Sequence, residues 1–233
     1  MINQDNIKAW EQIPFEEIEA FGDEGDFARQ KLLNPAIFKL LGDIKGKRIL
    51  DAGSGTGYLS RLMAQKGAEV TAVEPASNLY RYARQREASE PLGIRYEQKD
   101  LGAIDYKREF DFVVANMVIM DIPDWQTATK KCLQALKPGA TFIFSIIHPA
   151  FEERSDKEYD EKGFITVSEY LADYEIKQKY GYAFHRSLSS YLNFLIDEGA
   201  TIQRLVEPQL AEELPGQSRN YHVPNFLIVQ CGG

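Results

Sequence analysis

The order of apolar and glycine-rich segments predicts an α/β fold, with a mostly parallel seven-stranded sheet, helices on both faces and a last strand that runs antiparallel. Three observations carry this. Short β-branched runs alternate with helical stretches between residues 43 and 150. A glycine-rich turn, DAGSGTG, follows an apolar strand and opens a helix, the setting in which backbone N–H groups face a ligand. Near the C-terminus, two strand-like runs are joined by a segment with little room for the crossover helix that a parallel pair needs.

Residues 1–42 contain helical patterns such as DFARQKLLNPAIFKLLG and are expected to form a cover over the mouth of the crevice. The runs KRILDAG, AEVTAVEP, IRYEQKD, FDFVVANMVIM and ATFIFSIIHP are expected as strands one to five. Between the first two, YLSRLMAQKG places Leu59, Leu62 and Met63 on one helical face and stops at Gly67. The next helix is expected in ASNLYRYARQREASE, with Ser77 as its N-cap and its end before PLG. Pro123 and Asp124 mark the start of WQTATKKCLQAL, which ends at KPG, where the chain re-enters the sheet.

Residues 151–186, rich in charge and tyrosine, interrupt this rhythm as an insertion or lid, with a small β element expected around FITVSEYL. Residues 187–233 return to the core. A helix in SLSSYLNFLIDEG has Leu188, Tyr191, Leu192 and Leu195 at helical spacing, and the strands ATIQRLVEP and HVPNFLIVQC follow. A chain of 233 residues then reads as one domain, with 43–150 as its ligand-binding core.

A formal net charge of −8 and a pI near 5.1 oppose binding to nucleic acid or an anionic membrane surface. Cys132 and Cys231 have no framework spacing, and no apolar stretch reaches the length of a membrane span. A cytoplasmic location with reduced thiols is expected.

The glycines Gly53, Gly55 and Gly57 give G-x-G-x-G, with Tyr58 where a dinucleotide fingerprint would carry its third glycine. Glu74 ends strand two, 23 residues after Asp51. That is close to the roughly twenty-residue offset at which an acidic side chain takes ribose hydroxyls. NAD would satisfy Glu74 equally well. Tyr58 and the reversed last strand argue against an NAD-type oxidoreductase.

These motifs, in order DAGSGTG, AVEP, QKDL, FDFVVANMVI and LKPGA, resemble those of the class I S-adenosylmethionine (SAM) dependent methyltransferases, and the resemblance covers most of the chain. It implies the Rossmann-like form of the fold predicted above, with SAM as cofactor and S-adenosylhomocysteine as product. By this resemblance the methionine part of SAM lies on Gly53, Gly55 and Gly57, with Asp51 at its amino end and Glu74 and Pro75 at the ribose. Asp100 and Leu101 would meet the adenine. Asn116 and Met117, at the end of strand four, would meet the methionine end, and Arg29 would pair with the SAM carboxylate if the N-terminal helix closes over the site. Each residue also has a bland reading, as a loop-holding or solvated carboxylate, a turn cap or a solvent-facing arginine.

Methyl transfer from a sulfonium needs water exclusion and alignment, and a base only for acceptors that must lose a proton. His148, after strand five, and His185, where the insertion returns to the core, are the candidate bases. A hydrogen-bonded structural role is open for both. The D/N-P-P-aromatic sequence of nucleic-acid amino methyltransferases is absent at strand four, which reads NMVI. Neither cysteine is placed as a nucleophile, and no metal is expected at Asp121 and Asp124. The acceptor expected is a small molecule. A SAM-binding module without catalysis, or a tRNA or protein methyltransferase with a basic face at Arg81, Arg84 and Arg86, are the alternatives.

Overall fold

The computed structural model describes residues 3–151, 162–164, 166–215 and 217–233. Seven strands form one sheet: β1 (Arg48–Ala52), β2 (Glu69–Val73), β3 (Arg95–Glu97), β4 (Phe110–Asn116), β5 (Leu136–Ile147), β8 (Thr201–Val206) and β9 (Phe226–Gly232). Their order across the sheet is β3-β2-β1-β4-β5-β9-β8. The pairs among β1 to β5 are parallel, and β9 lies antiparallel to both β5 and β8. The expected reversal of the last strand is therefore present. Its connection from β8 contains only the short helix α8 (Ser218–His222), too short for a crossover back to the opposite edge.

Alternation along the strands divides the core between the two faces of the sheet. Leu50, Val113, Phe142 and Val229 face one layer, with Trp125, Cys132, Tyr191 and Leu195 from α6 (Trp125–Ala135) and α7 (Leu188–Asp197). Ile49, Val114, Ile143 and Ile228 face the other, against α3 (Asn34–Leu41), α4 (Tyr58–Gln65) and α5 (Ser77–Ser89). Asp124 caps α6 by accepting from the Thr127 N–H at 3.2 Å, and Ser187 caps α7.

Three expectations need correction. Ser77 is the first residue of α5 and Ala76 occupies the cap position without a side-chain cap. The cap is unnecessary because the Ala76 and Ser77 N–H groups donate to the Glu74 and Glu11 carboxylates at 2.8 and 3.1 Å. β5 begins at Leu136, so the KPG segment is an irregular lead-in to the strand, where the β4–β5 register shifts. The small β element is a hairpin of β6 (Tyr174–Lys177) and β7 (Tyr182–His185). Residues 166–171 form no strand. Tyr174 to Lys177 alternate half-buried and exposed positions, which the run FITVSEYL imitates in sequence alone. Part of the expected lid, residues 152–161 and 165, lies outside the described residues.

The N-terminal segment does form a cover. Helices α1 (Asn3–Trp10) and α2 (Phe15–Ala20) lie over the carboxyl ends of the strands, and a π-helical stretch, Arg29–Leu33, leads into α3. Buried Asn6 fastens α1: its amide donates to the Asp121 and Tyr182 carbonyls at 2.6 and 2.8 Å and accepts from the Tyr182 N–H at 2.8 Å. Among the described residues no helix is long and apolar enough to cross a membrane.

Candidate active site

The glycine loop leaves β1 and is anchored to β2, with the Gly53 and Ser54 N–H groups sharing the Val73 carbonyl at 2.8 and 2.9 Å. Gly53 and Gly57 take φ of +76° and +78°, a region that side chains strain to enter. A Cβ on Gly53 would meet the Val118 methyls at 2.6 Å, and one on Gly57 the Tyr96 hydroxyl at 2.6 Å. These two glycines are thus demanded by protein packing. Gly55, at φ +56°, has nothing within 4 Å of where its Cβ would stand. Its backbone opens onto a cavity of about 220 Å³ at the carboxyl ends of β1, β2 and β4.

The loop's carboxylates are buried. Glu74 accepts from the Gly55 N–H through Oε2 and from the Ala76 N–H through Oε1, each at 2.8 Å. It spans the loop and the start of α5 and keeps one further lone pair on each oxygen. Burial lifts its carboxyl to about 7; the two backbone bonds oppose that rise and the nearby Asp51 adds to it. Asp51 accepts from the Ser60 hydroxyl at 2.5 Å and is lifted by burial to about 6 against that bond. The hydroxyls of Ser54 and Thr56, both on the cavity wall, are buried with no hydrogen-bond partner.

Asp100 accepts from the Gly102 N–H at 2.9 Å and from the Asn3 amide of the cover at 2.5 Å, with buried Leu101 beside it. Pro75, Asp100, Leu101, Asn116, Met117 and Arg29 all line the same cavity. Arg29 is held by Asp26 at 2.5 Å and lies 4.7 Å from the centre of the Phe21 ring.

Asn116 does not present a free amide. It donates to the Tyr58 hydroxyl at 2.7 Å and accepts from the Ser145 hydroxyl at 2.6 Å, while Tyr58 donates to Asn34 at 3.1 Å. This relay ties α3, α4, β4 and β5 together and leaves the adjacent backbone to face the cavity. Met117 follows at φ +60°, its N–H held by the Ser145 hydroxyl at 2.9 Å.

The two histidines are not brought to this cavity. His148 donates through Nε2 to Glu207 at 3.1 Å and accepts through Nδ1 from the Ala150 N–H at 3.2 Å. Burial lowers its pKa against the raising effect of Glu207. His185 stacks on Tyr174 at 4.4 Å and donates through Nε2 to the Tyr170 carbonyl at 2.9 Å. It lines a separate cavity of about 20 Å³ beyond the Ile119–Asp121 turn.

Sequence reasoning missed the cover's share of the site. Asn3, Asn6, Trp10, Ile18 and Phe21 all line the large cavity. The available signal was weak, since the amphipathic pattern there marks helices without saying what they cover. Tyr58 lines the cavity, while Phe27 is exposed and Tyr182 contributes its backbone to Asn6. At the proposed basic face, Arg86 is paired with Asp23 at 2.7 Å.

Residues 50–144 match a family model described as a methyltransferase domain. Ubiquinone biosynthesis O-methyltransferase from Coxiella burnetii is 33% identical over 126 residues, 52% of this chain and 53% of that protein. The protein of the same name from Photorhabdus laumondii is 32% identical over 131 residues, 54% of this chain and 55% of that protein. The chain spans about half the length of the curated relatives it matches. A crystal structure of an S-adenosylmethionine dependent methyltransferase from Mesorhizobium loti superposes with a TM-score of 0.75 at 25% identity, covering 90% of this chain and 99% of that one.

Proposed function

Residues 50–144 form a class I SAM-dependent methyltransferase domain, and from that premise we propose that the chain moves a methyl group from SAM to a small-molecule acceptor by in-line displacement. One observation carries the reading. Gly55 with its open backbone, Glu74 and Asp100 with spare lone pairs, and Ser54 and Thr56, whose buried hydroxyls have no partner, line one covered cavity. These groups fit a nucleoside with a polar tail. Glu74 would accept from two ribose hydroxyls, which a 2′-phosphate would forbid by repulsion. Asp100 would take the adenine amino group in exchange for Asn3, Leu101 would pack on the ring, and Asp51 would hold the ammonium end. Arg29, already at the wall, would turn from Asp26 toward the carboxylate.

Bound SAM supplies an electrophilic methyl group on a positively charged sulfur. The chain's part is to exclude water and to hold the acceptor in line. α1 and α2 close the mouth, the Asn116 relay fixes the backbone beside the reacting end, and Met117 presents an apolar side chain there. Neither His148 nor His185 lines the large cavity, and both have ring nitrogens in other hydrogen bonds. The enclosed site, the net charge of −8 and the relatives' names support a small acceptor. Two buried free cysteines agree with the cytoplasm as the proposed compartment.

The test is the thermal midpoint with S-adenosylhomocysteine, SAM or NAD, in wild type and Glu74→Ala. A ligand at a hundred times its dissociation constant stabilises by about 2.7 kcal/mol. A shift with both sulfur nucleotides that shrinks in Glu74→Ala is expected. A shift with NAD alone overturns the reading.

A further inference from the structure

Arg186 is a buried cation that the proposed chemistry does not use, and unlike buried Arg61, which pairs with Glu87 and Glu90, it makes no ion pair among the described residues. It follows β7 and is 6% exposed. Its Nη2 donates to the Ile122 and Pro123 carbonyls at 2.9 and 3.2 Å. Trp125 and Phe184 cover the guanidinium at 5.5 and 5.2 Å from their ring centres. No Asp or Glu among the described residues stands within ion-pair distance. Nη1 is buried without an acceptor of proper geometry, although the Tyr191 phenol is near enough for the guanidinium to oppose its burial-driven pKa rise.

A guanidinium does not shed its proton in a protein, so this site keeps a full positive charge; Asp121 and Asp173 act on the neighbouring Tyr191, and among the described residues no carboxylate forms an ion pair with Arg186. Burying such a charge costs several kcal/mol unless it is paired. Arg186 also lines the cavity of about 20 Å³ with Met120, His185 and Tyr191, room for one small polar group. That cavity and the large one sit on two sides of the same turn. Met120 faces the first, while Asp121 and Ile122 face the second. The rings on Arg186 and the carbonyls on Nη2 leave only Nη1 without a hydrogen bond of proper geometry, so a planar carboxylate oxygen reaching it would complete the set.

We propose that this cavity is an acceptor subsite in which Arg186 binds a carboxylate, so that the methyl acceptor is a carboxylic acid whose charge is held across the Ile119–Asp121 turn from the reacting atom. The inference rests on the methyltransferase reading and adds the acceptor's class to it. With a net charge of −8, the chain repels anions elsewhere, and a buried cation then selects among acceptors by charge as well as shape.

The experiment titrates the wild-type protein, saturated with S-adenosylhomocysteine, with benzoate and with its neutral isostere benzamide. The Arg186 side-chain N–H resonance and the thermal midpoint are followed, with sodium chloride as the ionic control. Benzoate is expected to move the Arg186 resonance saturably and to bind at least about tenfold more tightly than benzamide, the range for a hydrogen bond to a charged group. Arg186→Met is expected to lose the benzoate response and to keep the midpoint shift with S-adenosylhomocysteine. Equal responses to benzoate and benzamide, no movement of the resonance, or a benzoate response surviving in Arg186→Met each overturn the proposal. If Arg186→Met does not fold, the wild-type comparison decides alone. Failure of the methyltransferase reading shows separately, as no midpoint shift with S-adenosylhomocysteine in wild type.

Discussion

Asp51→Asn should make the ligand-free protein more stable, and by an amount that grows with pH. The carboxyl rises from 3.8 in the unfolded chain to about 6 when folded, chiefly through burial. Between those values the folded state holds a proton that the unfolded state has released, so stability falls as pH rises through the window. The cost is absent well below 3.8 and complete above about 6. Once the group is ionised in both states it is about 3 kcal/mol, and at pH 5 about 1.6 kcal/mol. Asparagine keeps an oxygen for the Ser60 hydroxyl and carries no charge to desolvate.

At about 2–4 °C per kcal/mol for a chain of this size, the variant's midpoint should exceed wild type by about 6–12 °C at pH 8 and by about half that at pH 5. Ligand-free melts of both proteins at the two pH values measure this. A gap that stays constant with pH, or a variant less stable than wild type at pH 8, would refute the view of Asp51 as a desolvated charge. The same variant should bind S-adenosylhomocysteine more weakly, because the group that costs stability is assigned to the ligand's amino end.

Four further outcomes follow from the structure. Gly53→Ala forces a methyl to 2.6 Å from Val118 at a φ of +76° and should lower the denaturation midpoint strongly. Gly55→Ala meets nothing and should cost only the left-handed strain of about 1–2 kcal/mol, yet weaken nucleoside binding measured by calorimetry. Asn6→Ala removes three hydrogen bonds between α1 and its neighbours. Amide hydrogen exchange over residues 3–20 should accelerate while that of β4 and β5 stays slow. Burial pushes both Cys132 and Cys231 up to about 12. Neither should react with iodoacetamide at pH 8 in the folded protein, and mass spectrometry would show both modified after denaturation.

The sheet and the conformation of the glycine loop were legible because their signals are local. Period-two burial marks Leu50, Val113 and Phe142, and a turn that needs positive φ marks Gly53 and Gly57. The reversal of β9 could be read from the shortness of the segment before it. Asn116 was read for its position at the end of β4, but its partners, Tyr58 and Ser145, lie 58 and 29 residues away. No periodicity announces such contacts. His148 and His185 were chosen for side-chain chemistry at the crevice end of the sheet. A buried ring needs partners for both nitrogens, and for His148 these came from Glu207 and the Ala150 backbone. The cover's contribution was hidden for the same reason, since Asn3 and Asn6 act through tertiary partners nearly a hundred residues or more away.

Asp51 and Glu74 at the glycine loop and Arg186 beside the smaller cavity are buried charges of opposite sign that form no ion pair with one another. At the loop end, Asp51 and Glu74 are both buried and both lifted chiefly by that burial, and Asp51 adds to the rise of Glu74. Beyond the Ile119–Asp121 turn, Arg186 is buried and makes no ion pair among the described residues. Folding could have joined these opposite charges in one ion pair, which would have relieved both. The Arg186 bonds to the Ile122 and Pro123 carbonyls hold the chain just after that turn. A molecule with positive charge at the loop end and a second with negative charge beyond the turn would each gain from a desolvated partner that water cannot screen. Selectivity for both would then come from the same uncompensated burial that lowers the stability of the empty protein.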